Sequence, residues 1–198
     1  MNWLVVVLIV VIVVNLGQGF FDLLFNSGDA IDVLQRCQEQ RYVFNGQNPY
    51  DVLQASNFFT GYGAPLWSNR DTQVLPNVGV PVGASYPPWS YLIGNILYWP
   101  PTQAWARGYF AIVESLALLY IFYYGYSLGR RGHGTTLASL ILGLSAISVS
   151  SAAATVSLGQ FGLIAVAALA ATESLTARRR PIAAGLTLAL ALCKPNIA

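Results

Sequence analysis

The first long apolar run is the feature that most limits what this chain can fold into. It reads WLVVVLIVVIVVNL from Trp3 to Leu16, and with its flanks it reaches Phe21 without meeting a charged side chain. A helix that is apolar all round belongs in a bilayer or in the core of a large protein. About 20 helical residues cross ~30 Å of hydrocarbon. The run therefore predicts a first membrane helix over residues 1–21.

A cleaved signal peptide is the other interpretation of this run. Such a peptide has a basic N-terminal region and small residues at its cleavage site. Met1 and Asn2 carry no basic side chain, and residues 15–22 contain no A-x-A pattern. We therefore favour a retained anchor helix.

The composition of the whole chain excludes an ordinary soluble domain. Of its 198 residues, 55% are hydrophobic and only 9% are charged, and the mean hydropathy is +0.53. A soluble domain has about a quarter charged residues. The net charge of +2 and the lack of a basic, aromatic-rich patch argue against nucleic acid as a partner. Cys37 and Cys193 have neither metal-binding nor redox spacing, so we expect no metal and no cofactor.

Residues 22–101 are predicted to form a loop on the outer side of the membrane that carries juxtamembrane helices. Ser27 or Asp29 can cap a helix over residues 30–44, and the pair Asn45-Gly46 is typical of its end. Apolar and polar positions of this helix lie broadly on opposite sides, which favours a helix lying along the membrane surface. The apolar positions are Ile31, Val33, Leu34 and Cys37, and the polar ones are Asp32, Arg36, Glu39 and Gln40.

A short apolar segment closes this outer region. It runs from Trp89 to Trp99, follows Tyr86-Pro87-Pro88 and stops at Pro100-Pro101. It is too short to cross a bilayer, so we expect a half-inserted or juxtamembrane helix. Its tryptophans, together with Trp105, are expected at the membrane interface.

Four later apolar segments predict the membrane helices of region 102–198. Three of them, over 104–128, 135–156 and 160–177, are long enough for spans, and residues 181–193 begin a further one. The small residues of SAISVSSAAATVSLG favour close helix packing. The expected fold is an all-α, polytopic membrane helix bundle in a single transmembrane domain over residues 1–198.

Two arginine clusters indicate the orientation of the chain. Arg130-Arg131 and Arg178-Arg179-Arg180 lie in short loops separated by two predicted spans, so both can be cytoplasmic. The outer region, the break at 157–160 and the end at Lys194-Pro195 then share the extracytoplasmic face. Because the unusual polar segments gather on this face, we expect a site there.

The ionisable residues have structural interpretations beside the functional ones. Asp29 can be a simple helix N-cap, and Asp32 can pair with an arginine four residues later. Arg107 and Lys194 can snorkel to the lipid headgroups. Glu114 lies about 10 Å further into its helix than Arg107, and ionisable groups at that depth usually face a cavity or a partner.

Several short motifs occur in an order that resembles a known family. They are the first membrane helix, Gly28-Asp29, Gly46-x-Asn48-Pro49-Tyr50, Tyr86-Pro87-Pro88, Gly159-Gln160 after a small-residue helix, an arginine-rich loop, and Ala184-Gly185 leading to Lys194-Pro195. Together they resemble the N-terminal half of the integral-membrane glycosyltransferases with the GT-C fold. Within that fold they are similar to glycosyltransferase family 87, the polyprenol-phosphate-mannose-dependent mannosyltransferases. The resemblance covers essentially the whole chain.

The resemblance implies an inverting glycosyltransferase of the plasma (inner) membrane. It would move mannose, or another hexose or pentose, from a polyprenyl-phosphate donor to a glycan, lipid or glycolipid acceptor on the extracytoplasmic face. Asp29 occupies the position of the general base, with Asp32 as the alternative, because an acceptor hydroxyl needs a nearby carboxylate. Cationic and amide donors would hold the leaving phosphate and apolar groups the prenyl tail. The substrate-binding residues expected on this basis are Arg107, Gln160, Lys194, Tyr86 and Trp89.

Two further expectations concern the extent of the chain and its class. Members of that family are usually longer and have several more membrane helices, so the resemblance implies an N-terminal fragment that can be inactive by itself. The alternative class is a non-enzymatic membrane protein, either a transporter half or a subunit of an assembly. Transporters concentrate ionisable residues at mid-depth, and Glu114 is the clear case of that kind here.

Overall fold

The computed structural model of this chain describes residues 2–26, 30–46, 48, 89–100 and 102–194, with the side chains of residues 31, 35, 38 and 42 excepted. Of the residues in these ranges, 82% are helical and none lies in a strand. The helices are α1 (Trp3–Phe25), α2 (Ile31–Phe44), α3 (Ser90–Leu97), α4 (Gln103–Arg131), α5 (Thr136–Ile147), α6 (Ser150–Leu158), α7 (Gly162–Ala177) and α8 (Pro181–Ala191). The all-α class expected from the sequence is confirmed for this part of the chain.

Two of these helices are long and apolar enough to cross a membrane. They are α1, with 23 residues, and α4, with 29. The pair α5 and α6 meets the same criterion only together, and the two helices are bent by 45° at the break between them. The helices α7 and α8 are apolar but have only 16 and 11 residues. The described residues therefore support a membrane protein with two spans, or three if the bent pair counts as one.

The surface of α1 is what a lipid environment requires. Asn2 caps its start, because the side-chain oxygen accepts a hydrogen bond from the N–H of Leu4 at 3.0 Å. Trp3, Val13 and Val14 are exposed to 74%, 65% and 64%. Apolar area of this extent on one helix is stable when acyl chains cover it. The expected first membrane helix is present and continues four residues beyond its expected end at residue 21.

The segment 135–156, predicted as a span, forms two helices with a bend between them. The helix breaks between Ile147 and Ser150, where the Ser148 hydroxyl donates a hydrogen bond to the carbonyl of Ser145 at 3.1 Å. A serine side chain that bonds to the backbone competes with the helical hydrogen bonds and bends the chain. The serine-rich sequence at this point therefore gives two helices in place of one.

Close packing of small residues holds the bundle together. A Cβ atom added to Gly19 of α1 would lie 2.6 Å from the carbonyl oxygen of Ala153 in α6. Real Cβ atoms do not approach a backbone oxygen so closely, so glycine is required there. Similarly, a Cβ on Gly125 of α4 would lie 3.2 Å from the Cα of Gly143 in α5. The expectation of close packing by small residues agrees with these contacts.

Helix α4 is the element around which the others are arranged. It packs against α1, α2, α5 and α7, while α8 packs on α7. Its buried residues, spaced at helical intervals, include Arg107, Phe110, Glu114, Leu118 and Ile121. Two ionisable side chains thus lie on the interior face of a membrane-length helix.

Candidate functional site

Helix α2 buries its polar side, contrary to the prediction of a helix lying along the membrane surface. Arg36, Glu39 and Gln40 are only 5%, 1% and 0% exposed, and the apolar Val33 and Leu34 are fully buried as well. The helix is enclosed because α3, α4 and α6 pack against it. Buried polar groups of this kind are stable only when they are paired.

The polar side chains of α2 pair with one another and with α3. Arg36 forms an ion pair with Glu39 one turn later, and Glu39 also accepts a hydrogen bond from the Tyr91 hydroxyl at 3.2 Å. The Gln40 amide donates to the side-chain oxygen of Asn95 at 2.7 Å. These contacts fasten α2 and α3 to each other. The ion pair that the structure shows for Arg36 is therefore with Glu39, whereas the sequence suggested Asp32.

The start of α2 is fixed to the end of α6. The Ala30 N–H donates to the carbonyl of Ser157 at 2.9 Å. Gly159 ends α6 in the left-handed conformation, with φ 63°, and a Cβ added there would lie 2.6 Å from a methyl carbon of Val33. Glycine is required for both reasons. The chain that leaves the first outer turn is thereby placed beside the Gly159-Gln160 break, as the shared-face argument expects.

Gln160 and Lys194 meet next to this junction. The Lys194 ammonium donates a hydrogen bond to the side-chain oxygen of Gln160 at 3.3 Å, although the two residues are 34 positions apart. Both residues are half-buried. Asp32, Glu114 and Arg36 lie within electrostatic range of Lys194, and burial lowers the pKa of the Lys194 ammonium. An ammonium in such a position is stabilised by an anion, which it can bind with charge-assisted hydrogen bonds.

Glu114 is the most unusual ionisable group of the described residues. It is fully buried in α4, and neither carboxylate oxygen has a hydrogen-bond partner among the described residues. Its opposite charge within electrostatic range is that of Lys194. The carboxyl group therefore lies in the interior within electrostatic range of Lys194, and the described residues do not give it the donors that a buried carboxylate normally has.

Arg107 serves the fold in this structure. It is 7% exposed, and its guanidinium donates hydrogen bonds to the carbonyl oxygens of Leu23 at 3.1 Å and Asn26 at 2.8 Å. These carbonyls belong to the last turn and the cap of α1, which have no helical partners, and a cation is favoured at this helix end. Arg107 therefore terminates the first membrane helix.

The structure brings together only some of the residues expected in the site. Gln160 and Lys194 are in contact, and Asp32 lies within electrostatic range of Lys194. Trp89 precedes α3 and is 55% exposed, and Trp99 and Trp105 are also about half exposed, in keeping with interface positions. Asp29 and Tyr86 lie outside the described residues. The sequence analysis missed the burial of Arg36, Glu39 and Gln40, for which the spacing of opposite charges three positions apart was the available signal.

The described residues have no group of three or more His, Cys, Asp or Glu side chains that could hold a metal ion. Cys37 is buried, and burial raises the pKa of its thiol to about 12, so it stays protonated and unreactive. No protein-family model, no curated protein and no solved structure matches the chain.

Proposed function

We propose that this chain is part of an integral-membrane glycosyltransferase that uses a polyprenyl-phosphate-linked sugar. The sugar passes to a glycan, lipid or glycolipid hydroxyl on the extracytoplasmic face, with inversion at the anomeric carbon. Asp29 is the proposed general base, and Asp32 is the alternative. The chain crosses the plasma membrane several times, with both arginine loops in the cytoplasm, in a bundle of the GT-C type.

The observation that supports this proposal is the contact between Lys194 and Gln160. A departing lipid phosphate carries charge that needs cationic or N–H donors in a partly dehydrated site. A half-buried ammonium, held by a neutral amide, offers such a donor. It lies in a part of the fold to which the start of α2 is also tied, so a base at Asp29 would belong to the same end of the bundle.

A second candidate function is supported by Glu114. An unpartnered carboxyl group inside a membrane-length helix is common in proton- or ion-coupled transporters. On this hypothesis the chain is half of a transporter or a subunit of an assembly, and Lys194 is the counter-ion of Glu114. The two candidates differ in whether a sugar is transferred.

The test is sugar transfer by membranes in which the chain is expressed as part of its full reading frame. With a radiolabelled polyprenyl-phosphate mannose donor, we expect transfer that depends on Lys194. Lys194→Gln is expected to raise the apparent KM for the donor about tenfold or more, since a hydrogen bond to a charged group contributes about 1.5–3 kcal/mol. Arg178→Gln is the matched control, because it removes an exposed cation from the arginine loop.

Absence of transfer from this donor, in membranes where the unaltered chain is present and folded, would contradict the glycosyltransferase proposal. Electrogenic solute uptake by proteoliposomes that contain the same chain would then favour the transporter. An unchanged KM in Lys194→Gln, with transfer intact, would assign Lys194 to the lipid interface.

A further inference from the structure

The buried carboxyl group of Glu114 requires a bound proton or a cation that neutralises its charge. The residue begins the fourth turn of α4, roughly 16 Å along the helix axis from its start. It is 0% exposed, and both of its oxygens lack a hydrogen-bond partner among the described residues. A carboxylate that is ionised, buried and without a partner lowers the stability of the fold by many kcal/mol. In proteins such a group is neutralised or paired instead.

A proton is the occupant that fits this site best. Metal cations such as Ca²⁺ and Mg²⁺ take six or more oxygen ligands. Among the described residues no third His, Cys, Asp or Glu joins Glu114 and a neighbour to make a metal site. A protonated carboxyl group needs no such cage, and it removes the charge whose burial is costly.

The helices that pack on α4 carry few charged groups among the described residues, and Lys194 lies within electrostatic range of Glu114. Helices packed on α4 carry Asp22 on α1, Asp32, Arg36, Glu39 and Arg41 on α2, and Glu173 on α7, whereas α5 has no charged residue. Arg36 is paired with Glu39, and Asp22 accepts a hydrogen bond from Gln18 at 2.8 Å. Glu173 lies at the opposite end of α4, beside Arg131. Lys194 is the cation whose charge acts on Glu114.

We propose that Glu114 is a proton-binding site inside the bundle, and that an anion held by Lys194 keeps this proton bound. The free ammonium of Lys194 favours the ionised carboxylate, and an anion on the ammonium cancels that effect. At a pH where the anion-free chain has Glu114 partly ionised, anion binding is therefore accompanied by proton uptake at Glu114, and release of the anion is accompanied by release of the proton. Because such coupling is reciprocal, a protonated Glu114 also tightens the binding of the anion.

The anion half of this coupling rests on the proposed function, since it takes Lys194 as the phosphate-binding group. The proton half rests on the burial of Glu114 alone. No bond other than that between the proton and a carboxylate oxygen is made or broken. Glu114 thus changes its own charge near the Lys194 ammonium and does not attack the substrate.

Infrared spectroscopy of the purified chain in nanodiscs tests the proton half. At neutral pH we expect the carbonyl band of a buried, protonated carboxyl group, and we expect Glu114→Gln to remove it. Lys194→Gln should move the loss of this band to higher pH, because the cation that favours ionisation is gone. Glu173→Gln, which alters a half-exposed glutamate elsewhere on the bundle, should leave the band unchanged.

Calorimetry with farnesyl phosphate tests the anion half. Binding measured in buffers of different ionisation enthalpy gives the number of protons taken up. At the pH where half of the infrared band is lost, we expect uptake by the unaltered chain that exceeds uptake by Glu114→Gln, since protonation of the phosphate itself is common to both. Equal uptake by the two proteins would overturn the coupling.

The two measurements separate the possible failures. If the band is absent at neutral pH, the proton site is refuted. If the band is present but is unaffected by Lys194→Gln, the coupling between Lys194 and Glu114 is refuted. If the band behaves as expected but farnesyl phosphate does not bind, the proton site is supported while the anion coupling and the phosphate role of Lys194 are refuted.

Discussion

Asp29 precedes α2 in the sequence and Asp32 lies within its first turn, so the two carboxylates can be tested separately as the proposed base. Asp29 immediately precedes Ala30, and the positive end of a helix that begins at Ile31 favours an ionised carboxylate there. Asp29→Asn keeps an oxygen that can cap a helix and is expected to reduce sugar transfer by ~10²–10⁴-fold. Asp32→Asn is expected to cost severalfold at most. The measurement is the transfer rate in membranes at matched expression.

The outcome for the two variants assigns the role without ambiguity. If Asp32→Asn abolishes transfer while Asp29→Asn retains it, Asp32 is the base. If both variants remain active, neither carboxylate is the base.

Arg107 provides a second test at a single residue, because its contacts are structural. Arg107→Met removes hydrogen bonds to the carbonyls of Leu23 and Asn26 and leaves the buried Leu23 carbonyl without this donor. A loss of about 1–3 kcal/mol of stability is expected. Thermal unfolding in detergent, with the exposed Arg178→Met as control, measures it. If Arg107→Met is as stable as the unaltered chain but binds the donor less tightly, Arg107 binds the phosphate, as the sequence suggested.

The helix contacts allow a test of packing with a control on the same helix. Gly19→Val places side-chain atoms against the backbone of Ala153, and overpacking of this kind costs typically ~1–3 kcal/mol. A Cβ atom added to Gly17 would meet nothing within 4 Å, so Gly17→Val is the control. We expect a lower unfolding temperature for Gly19→Val and little change for Gly17→Val. Equal behaviour of the two variants would contradict the contact between α1 and α6.

The orientation of the helices can be measured with introduced cysteines. Asn45, after α2, and Gly132, after α4, are both exposed. In intact cells, Asn45→Cys is expected to react with a membrane-impermeant maleimide and Gly132→Cys to remain unlabelled. The native thiols give little background, since Cys37 and Cys193 are buried. The reverse labelling would place the arginine loops outside and remove the basis for a site on the outer face.

The apolar and turn patterns of the sequence predicted where the helices begin and end better than they predicted which helices are buried. The ends of α2 and α3 follow from Asn45-Gly46 and from the prolines around the Trp89–Trp99 segment, because turn residues act locally. The break within residues 135–156 was missed because alanine and serine at this point also suit a continuous helix. The burial of α2 was missed because it results from the packing of α3, α4 and α6 on this helix, which the pattern of a single helix does not reveal.

The site was also predictable only in part, because the sequence does not show which helices lie next to each other. Motif order named both Gln160 and Lys194 as candidates for the leaving phosphate, and the structure places the two side chains in contact. Arg107 was expected at the phosphate because a cation near a helix start has many possible partners. Its actual partners are the last carbonyls of α1, whose position depends on how two helices cross.

The molecule as a whole is expected to behave as an integral membrane protein. Its exposed apolar side chains are distributed over α1, α4 and α8, and these include Trp3, Leu119 and Ile182. After alkaline carbonate extraction the chain is expected to stay in the membrane pellet, because hydrocarbon burial is insensitive to pH and salt. Recovery in the supernatant would contradict the assignment of α1 and α4 as spans.

The contact between Gly19 and Ala153 also constrains the order of events during synthesis. Helix α1 leaves the ribosome first, but the surface that covers Gly19 is more than a hundred residues further along the chain. At ~5–20 residues per second, α1 waits on the order of ten seconds in the bilayer before α6 arrives. The apolar surface of α1 allows it to remain in the bilayer as a single helix during that time. The contact between α1 and α6 therefore forms only after α2, α3 and α4 have been made.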